Sequence, residues 1–185
     1  MLFDLIRGCD LTTISEIGWA DWHRKEVDLD DFVPAFRPEA KPFGSEGKFT
    51  VRFSRPVQSE SLSSDCFVMN VYVKRRERWL KQFRVPITGI ENKPDEELVD
   101  SVEFIVDDKW FADAVADTND TIFAERDEAL VEIEVRGDYI LDCNGQTVDA
   151  NAVGIRAAPT GNGSPGGTFL SSFRVTNKSG DKNDD

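Results

Sequence analysis

The sequence predicts an all-β fold, and three observations lead to that prediction. Apolar and polar residues alternate in several segments, which is typical of strands with one buried and one exposed face. Phenylalanine is frequent, with 13 residues among 185, and β-branched residues are common, which favours strands over helices. Turn-forming residues separate the alternating segments at short intervals. Together these features indicate a β-sandwich with at most short helical turns.

The clearest of these segments is residues 129–148, ALVEIEVRGDYILDCNGQTV. Its first apolar residues alternate with charged ones, which predicts a central strand. Those residues are Val131, Ile133 and Val135. Gly137 interrupts the alternation, which we expect to resume at Tyr139, Leu141 and Cys143. The pair Asn144-Gly145 then predicts a tight turn, because glycine adopts positive φ without strain.

The other elements are predicted in chain order from the same signals. Residues 12–22 predict a first strand with a mixed face, and the acids ahead of Phe32 predict a short capped helical turn. Further strands are predicted at residues 48–55, 66–75, 79–90, 102–106 and 168–176.

The turn and loop signals between these strands lead to three further expectations. Pro56 is expected to end the strand that begins at residue 48. Residues 66–75 and 79–90 are expected to form a hairpin with a basic turn. Residues 149–167, rich in glycine, proline and asparagine, predict a long ordered loop or an exposed arm.

This order of elements is the pattern of an immunoglobulin-like β-sandwich of about seven strands. Residues 46–176 are expected to form the sandwich. Residues 1–45 are expected to form an N-terminal extension that contains a strand and a short helical turn. Residues 177–185 are polar and charged, which predicts a disordered acidic tail.

Charge and hydropathy narrow the classes of partner. The formal net charge of −13 argues against nucleic acid, since phosphate binding requires a basic surface. The start of the chain has no signal-peptide pattern, and no apolar stretch is long enough to cross a membrane. We therefore expect no membrane insertion, and either a cytoplasmic protein or one exported within an assembly.

The cysteines give an odd count of three, with no spacing typical of a metal site. Cys66 and Cys143 both lie in strand-like segments. Buried free thiols are the favoured interpretation, and a Cys66–Cys143 disulfide between two sheets is the alternative.

One region offers oxygen ligands for a metal ion. The residues around its turn are Asp142, Asn144, Asp149 and Asn151. Calcium prefers oxygen ligands on flexible loops, so a calcium site is one hypothesis. The alternative, favoured by the usual composition of turns, is that these side chains bond to their own backbone.

Aromatic and basic residues offer candidates for a partner-binding surface. Trp19 and Trp22 would stack on a sugar ring or a partner if exposed, although burial in the core is the favoured interpretation. The predicted hairpin tip would dock an acidic partner, unless it is simply a solvated tip. Its residues are Arg75, Arg76, Arg78 and Trp79.

His23 is the single histidine of the chain. A histidine beside an acid such as Asp21 can transfer protons, but no nucleophile motif accompanies this one. No catalytic residue and no organic cofactor is therefore predicted.

Three short motifs stand near the ends of predicted strands. The first is Phe53-Ser54-Arg55-Pro56-Val57, followed by Glu60-Ser61-Leu62; the second is Tyr139-Ile140-Leu141-Asp142-Cys143-Asn144-Gly145; the third is Phe173-Arg174-Val175. In this order they resemble the bacterial immunoglobulin-like domains of the S-layer protein type, over residues 48–176. The middle of the chain is longer than is usual for that family, and residues 1–45 and 149–167 have no counterpart in it. The resemblance implies a structural or adhesive module without catalysis, and it names no ligand.

The sequence therefore predicts a non-catalytic structural or protein-interaction module that serves as a subunit of a larger assembly. The alternative belongs to a different class: a calcium-dependent module that binds a glycan or a small molecule. The two hypotheses differ in whether the acidic turn around Asp142 binds calcium or only stabilises the loop.

Overall fold

The computed structural model describes residues 10–32, 48–75, 78–91, 95–107 and 128–176. In chain order the strands of these residues are β1 (Ile14–Ile17), β2 (Glu26–Asp28), β3 (Lys48–Gln58), β4 (Phe67–Arg75), β5 (Arg78–Val85), β6 (Ile87–Glu91), β7 (Leu98–Val106), β8 (Glu128–Arg136) and β9 (Thr168–Thr176). One helical turn, α1 (Leu29–Phe32), follows β2. The all-β prediction is confirmed, with nine strands in the described residues where about seven were expected.

The strands form two sheets that enclose one core. The four-stranded sheet has the order β1-β3-β7-β6, and all of its neighbours are antiparallel. The five-stranded sheet has the order β2-β9-β8-β4-β5. Its pairs are antiparallel except β2, which runs parallel to β9. In the described residues, no helix is long and apolar enough to cross a membrane.

The central position of β8 was predicted correctly. This strand lies in the middle of the five-stranded sheet between β9 and β4. Val131, Ile133 and Val135 are fully buried, whereas the residues between them are half-buried. The period-2 alternation is therefore a reliable signal here, because one face of the strand packs on the core and the other contacts water.

The alternation does not resume after Gly137 in the expected phase. Residues 137–139 form a 3₁₀ turn, so that Tyr139 is 56% exposed while Ile140 is fully buried. The turn requires glycine at 137, because a Cβ there would collide with the carbonyl oxygen of Val148. The predicted burial of Cys143 is also wrong, since this residue is exposed.

Two prolines act differently from the prediction. Strand β3 continues past Pro56 to Gln58, because a bulge between Arg52 and Val57 accommodates a residue without an N–H. The predicted strand 79–90 is divided at Pro86 into β5 and β6, which belong to opposite sheets. A proline that cannot donate to the ladder is a favourable place for the chain to cross between them.

The N-terminal segment is integrated into the sandwich. Residues 10–32, which the sequence analysis assigned to an extension, supply β1 to the four-stranded sheet and β2 to the five-stranded sheet. The predicted strand and helical turn are both present. The remaining residues of the predicted extension, and the predicted tail at 177–185, lie outside the described residues.

Aromatic side chains join the two sheets in the core. The rings of Phe67 on β4 and Phe104 on β7 stack with centroids 4.7 Å apart, and Phe49 stacks on Phe104 at 5.1 Å. Trp19 meets both Phe49 and Phe104 edge-on, at 5.7 and 5.9 Å. Burial of each such side chain contributes about 1.5–3 kcal/mol to folding, and the ring contacts add directional preference.

The structure describes two of the three cysteines and establishes the state of both thiols. Cys66 is buried and Cys143 is exposed, and both are free thiols. The alternative of a Cys66–Cys143 disulfide is therefore wrong. The Cys66 thiol instead contacts the carbonyl oxygen of Ser61 at 3.5 Å.

The substitution Ile133→Asp tests the placement of β8. It puts an unpaired carboxylate between the two sheets, so we expect a loss of about 4 kcal/mol or more in the free energy of unfolding. Urea denaturation followed by circular dichroism measures this loss. Leu170→Asp is the matched control, because Leu170 is 46% exposed on the neighbouring strand. A soluble Ile133→Asp variant that melts cooperatively near the parent temperature would contradict the assignment.

Candidate interaction surface

The connection between β8 and β9, residues 137–167, carries the candidate site. After the 3₁₀ turn at its start it forms only isolated β-bridges, one of them between Thr13 and Asp149. The prediction of a long ordered loop is confirmed. Its order comes from side chains that form hydrogen bonds with the backbone.

Asp142 closes the first turn of this connection. Its Oδ1 accepts hydrogen bonds from the backbone N–H groups of Asn144 and Gln146, at 2.8 and 2.9 Å. Its Oδ2 accepts a hydrogen bond from the hydroxyl of Thr12 at 3.0 Å. The N–H of Gly145 donates to the Asp142 carbonyl at 2.9 Å, and Gly145 has the positive φ that the Asn-Gly pair predicts. The buried carboxylate therefore stabilises both the turn and the N-terminal segment.

Asp149 organises the second half of the connection. Its Oδ1 accepts hydrogen bonds from the backbone N–H of Asn151 at 3.2 Å and from the Asn151 side-chain Nδ2 at 2.9 Å. Its Oδ2 accepts one from the N–H of Gly163 at 2.7 Å. Its own N–H donates to the Thr12 carbonyl at 2.8 Å. One buried side chain thus joins two distant parts of the loop to the segment that precedes β1.

The four residues predicted as calcium ligands have a different role in this arrangement. All four carboxylate oxygens of Asp142 and Asp149 accept hydrogen bonds from protein donors. Asn151 uses its side-chain Nδ2 as a donor, and Asn144 is exposed. Over the described ranges, no group of three or more His, Cys, Asp or Glu side chains could hold a metal ion. The geometry is that of backbone-bonding turns, and calcium binding stays a prediction.

Thr160 joins the loop to the edge of β1. Its N–H donates to the carbonyl of Ile14, and its Oγ1 accepts a hydrogen bond from the N–H of Ile14, both at 2.9 Å. The same hydroxyl donates to the carbonyl of Asp149 at 2.7 Å. At this one position the loop pairs with β1 as an additional strand would.

Beyond Ile14 the loop leaves the strand edge, and a groove of about 400 Å³ opens between them. We call it the β1 groove. One wall is the edge of β1, and the other is the loop. The lining residues are Ser15, Glu16, Ile17, Ala20, His23, Ile155, Arg156, Ala157 and Ala158.

The loop wall exposes apolar side chains. Ile155 is 78% exposed and Val153 is 52% exposed, whereas Ala157 and Ala158 pack against the core. Ile155 has the largest exposed fraction of the exposed large apolar side chains in the described residues. An apolar side chain in water on a loop held by buried hydrogen bonds contributes little to folding, so it is a candidate for binding.

His23 lines the β1 groove and contacts strand β9 of the five-stranded sheet. Its Nδ1 lies 2.9 Å from the hydroxyl of Ser171 on β9, and its ring stacks on Phe169 with centroids 6.0 Å apart. Burial, together with the positive charge of Arg24, lowers the pKa of His23 below its ordinary value near 6.5. Ser171 is fully buried, so the pair anchors the segment between β1 and β2 to β9 and presents no exposed nucleophile.

The partner-binding candidates from the sequence have mixed outcomes. Trp19 is fully buried, so it cannot offer a stacking surface, and the core interpretation is confirmed for it. Trp22 is half-buried and contacts Phe173 with ring centroids 5.2 Å apart.

The predicted hairpin of β4 and β5 is confirmed by its backbone register. The residues predicted at its tip cannot be placed as a surface. The side chains of three of them, and the whole of the fourth, lie outside the described part of the chain: Arg75, Arg78 and Trp79, and Arg76.

Sequence reasoning missed the residues that form the groove. Ile155 and Arg156 stand in a loop without periodicity, and their neighbours across the groove are remote in sequence. The available signal was the pair Val153 and Ile155, two branched apolar residues in an otherwise polar loop.

Comparison of the chain with known protein families, curated proteins and solved structures gave no match. Its function must therefore be inferred from its own residues.

The substitution Asp149→Ala separates the two roles considered for the acidic turns. It leaves the part-buried N–H groups of Asn151 and Gly163 without their acceptor, which costs up to about 1–3 kcal/mol per donor. We expect the melting temperature to fall by the same amount in calcium and in chelator, with faster amide exchange in residues 150–166. Asp95→Ala is the matched control, because Asp95 is exposed and has no bonding partner among the described residues. Calcium stabilisation that is present in the parent and lost in Asp149→Ala would contradict the hydrogen-bonding role.

The lowered pKa of His23 predicts a pH dependence of stability. As the pH falls, His23 binds its proton at a higher pH in the unfolded state than in the folded state, because its pKa is higher in the unfolded state. Stability should therefore decrease as the pH falls through about 6.5 toward the lower pKa of the folded state. Urea denaturation at pH 7.5 and 5.5 measures the decrease, which should be smaller in His23→Gln. Equal decreases in both proteins would contradict the assignment.

Proposed function

We propose that this chain is a non-catalytic β-sandwich module that binds another protein as a subunit of a larger assembly. The observation that carries the proposal is the 78% exposure of Ile155 on a loop fixed by buried hydrogen bonds. Val153, two residues before Ile155, is also exposed, and neighbouring exposed apolar side chains beside a groove favour docking more than a single one does.

The surface is organised before any partner binds. Asp149 and Thr160 hold the loop on either side of Ile155. Ala157 and Ala158, which lie between them in the chain, pack on the core. Binding to such a surface loses little loop entropy at the moment of association. Without these contacts the loop would become ordered only when the partner binds, and the entropy lost in that step would weaken the binding affinity.

The buried carboxylates and the histidine near this surface are all engaged in structural contacts, which supports a non-catalytic role. The carboxylates of Asp142 and Asp149 accept hydrogen bonds from the backbone and from Thr12. His23 anchors the segment between β1 and β2 to strand β9 through Ser171 and Phe169. Each of these groups has a structural task that a catalytic role would interrupt.

We further infer that the sandwich is immunoglobulin-like. The order β1-β3-β7-β6 corresponds to strands A, B, E and D of that fold, and β9-β8-β4 corresponds to G, F and C. Strand β5 then occupies the place of C′, the strand beside C in variable-type domains. This correspondence supports a binding role, since immunoglobulin-like sandwiches bind partners through the loops at their ends and edges.

The resemblance to bacterial immunoglobulin-like domains of the S-layer type is supported by one contact between its motifs. The N–H of Gln58 donates to the carbonyl of Leu141 at 2.8 Å, and the N–H of Cys143 donates to that of Pro56 at 3.1 Å. The first two motifs therefore lie side by side at one end of the sandwich. No comparable observation favours the calcium-dependent alternative.

The proposal is tested with the full chain carrying a C-terminal tag, isolated from its own cells. Size separation gives the native mass, and quantitative mass spectrometry compares the companions of the parent and of Ile155→Ser. We expect a particle larger than the 20.8 kDa monomer and about a ten-fold loss of companions in Ile155→Ser, since a central apolar contact contributes about 1–2 kcal/mol.

Leu170→Ser is the matched control, because it removes an apolar side chain that is 46% exposed on the face of β9. It should retain the companions of the parent. Recovery of the parent as a free monomer, or equal losses in the two variants, would contradict the proposal.

A further inference from the structure

The edge of β1 is open along the β1 groove. Thr160 pairs with Ile14, but the loop makes no backbone hydrogen bond to residues 15–17 in the described part of the chain. Strand edges of this kind recruit extended polypeptide, because a new strand can bond to the free side of the edge. The groove therefore offers both a strand edge and an apolar wall to a single extended segment.

The charges around the groove indicate what kind of segment fits. Most cationic side chains that the structure describes are in ion pairs: Arg52, Arg55, Lys74, Arg136 and Arg174. Arg156 lines the groove and is exposed, and Arg24 directly follows His23 in the chain; within the described residues neither side chain is in an ion pair. An unpaired cation in the lining of this groove, in a chain of net charge −13, favours an acidic ligand there.

The one acid that lines the groove does not cancel this preference. Glu16 is in an ion pair with Arg52, with Oε2 and Nε 3.6 Å apart. That pair carries no net charge, so Arg156 is the remaining charged side chain among the residues that line the groove. The charge of Arg24 reaches His23, since it contributes to the lowered pKa of the imidazole.

We propose that the β1 groove binds an extended acidic segment of a partner protein, with its backbone along β1 and a carboxylate against Arg156. An apolar side chain of the segment contacts Ile155 and Ala157. This inference rests on the proposed function and names the chemistry of the partner. It also explains why the loop pairs with β1 at Ile14 only, since further pairing would close the groove.

His23 reports occupancy of the groove. It is the single histidine of the chain and lines the groove, so its imidazole gives one NMR titration curve that can be assigned without ambiguity. A carboxylate bound nearby favours the imidazolium form, which raises the pKa of His23. A segment bound anywhere else leaves that curve unchanged.

The test uses the full chain and three fluorescein-labelled hexapeptides: alternating Glu-Val, alternating Gln-Val and alternating Lys-Val. Fluorescence anisotropy at low and at physiological salt measures Kd. We expect the Glu-Val peptide to bind most tightly and the Lys-Val peptide least, with a weaker preference at higher salt. Saturating Glu-Val peptide should raise the pKa of His23.

Arg156→Gln should weaken binding of the Glu-Val peptide about two- to five-fold, the effect of one exposed ion pair. Arg84→Gln is the matched control, because Arg84 is also exposed and has no ion pair in the described part of the chain, but lines a different cleft, beside Pro86. It makes the same change in net charge and should leave Kd unchanged. Equal weakening in both variants would indicate a general charge effect and overturn the inference.

Two further outcomes would also overturn it. In the first, the Glu-Val peptide does not bind, although the parent still recovers companions from cells that Ile155→Ser loses. That result would contradict this inference but not the proposed function. The second is a dimer of this chain that Ile155→Ser abolishes and the Glu-Val peptide does not displace, since the groove would then belong to a second copy.

Discussion

Thr12 connects the parts of the molecule that form the candidate interaction surface. Its buried hydroxyl donates to Asp142 Oδ2, and its carbonyl accepts from the N–H of Asp149. One residue ahead of β1 therefore fixes both acidic turns of a connection that follows β8. A hydrogen bond to a carboxylate contributes about 1.5–3 kcal/mol and a backbone hydrogen bond about 0.5–1.5 kcal/mol, so both bonds at this junction stabilise the loop.

Two different kinds of force hold the sandwich and the loop. The sheets are held by apolar burial, which has no direction and is satisfied by the stacked rings of Phe67 and Phe104. The loop is held by short polar contacts of Asp149 and Thr160, which have direction. A loop fixed in this way does not need to bury its apolar residues to be ordered. Ile155 can remain in water, where it is available to a partner.

The candidate site could be predicted only in part from the sequence. Asp142 and Asp149 were correctly singled out as turn residues, because Asx side chains next to Gly and Asn have a well-known local chemistry. The groove was not predicted, because its walls come from β1 and from a loop that joins β1 through Thr160. Ile14 and Thr160 are 146 positions apart, and no local pattern reports such a contact.

Local physical rules were sufficient for the strands. The alternation around Ile133 and the valines of β4 identified the buried faces, since a period of two has only one interpretation in a strand. The rules did not determine the effects of Pro56 and Pro86, one tolerated at a bulge and the other at a crossing between sheets. The sequence alone therefore determined which residues of the regular strands face the core, but not which residues of the connection after Gly137 do. Only the tertiary structure decided which strands are neighbours and where an edge stays open, because pairing depends on contacts between distant segments.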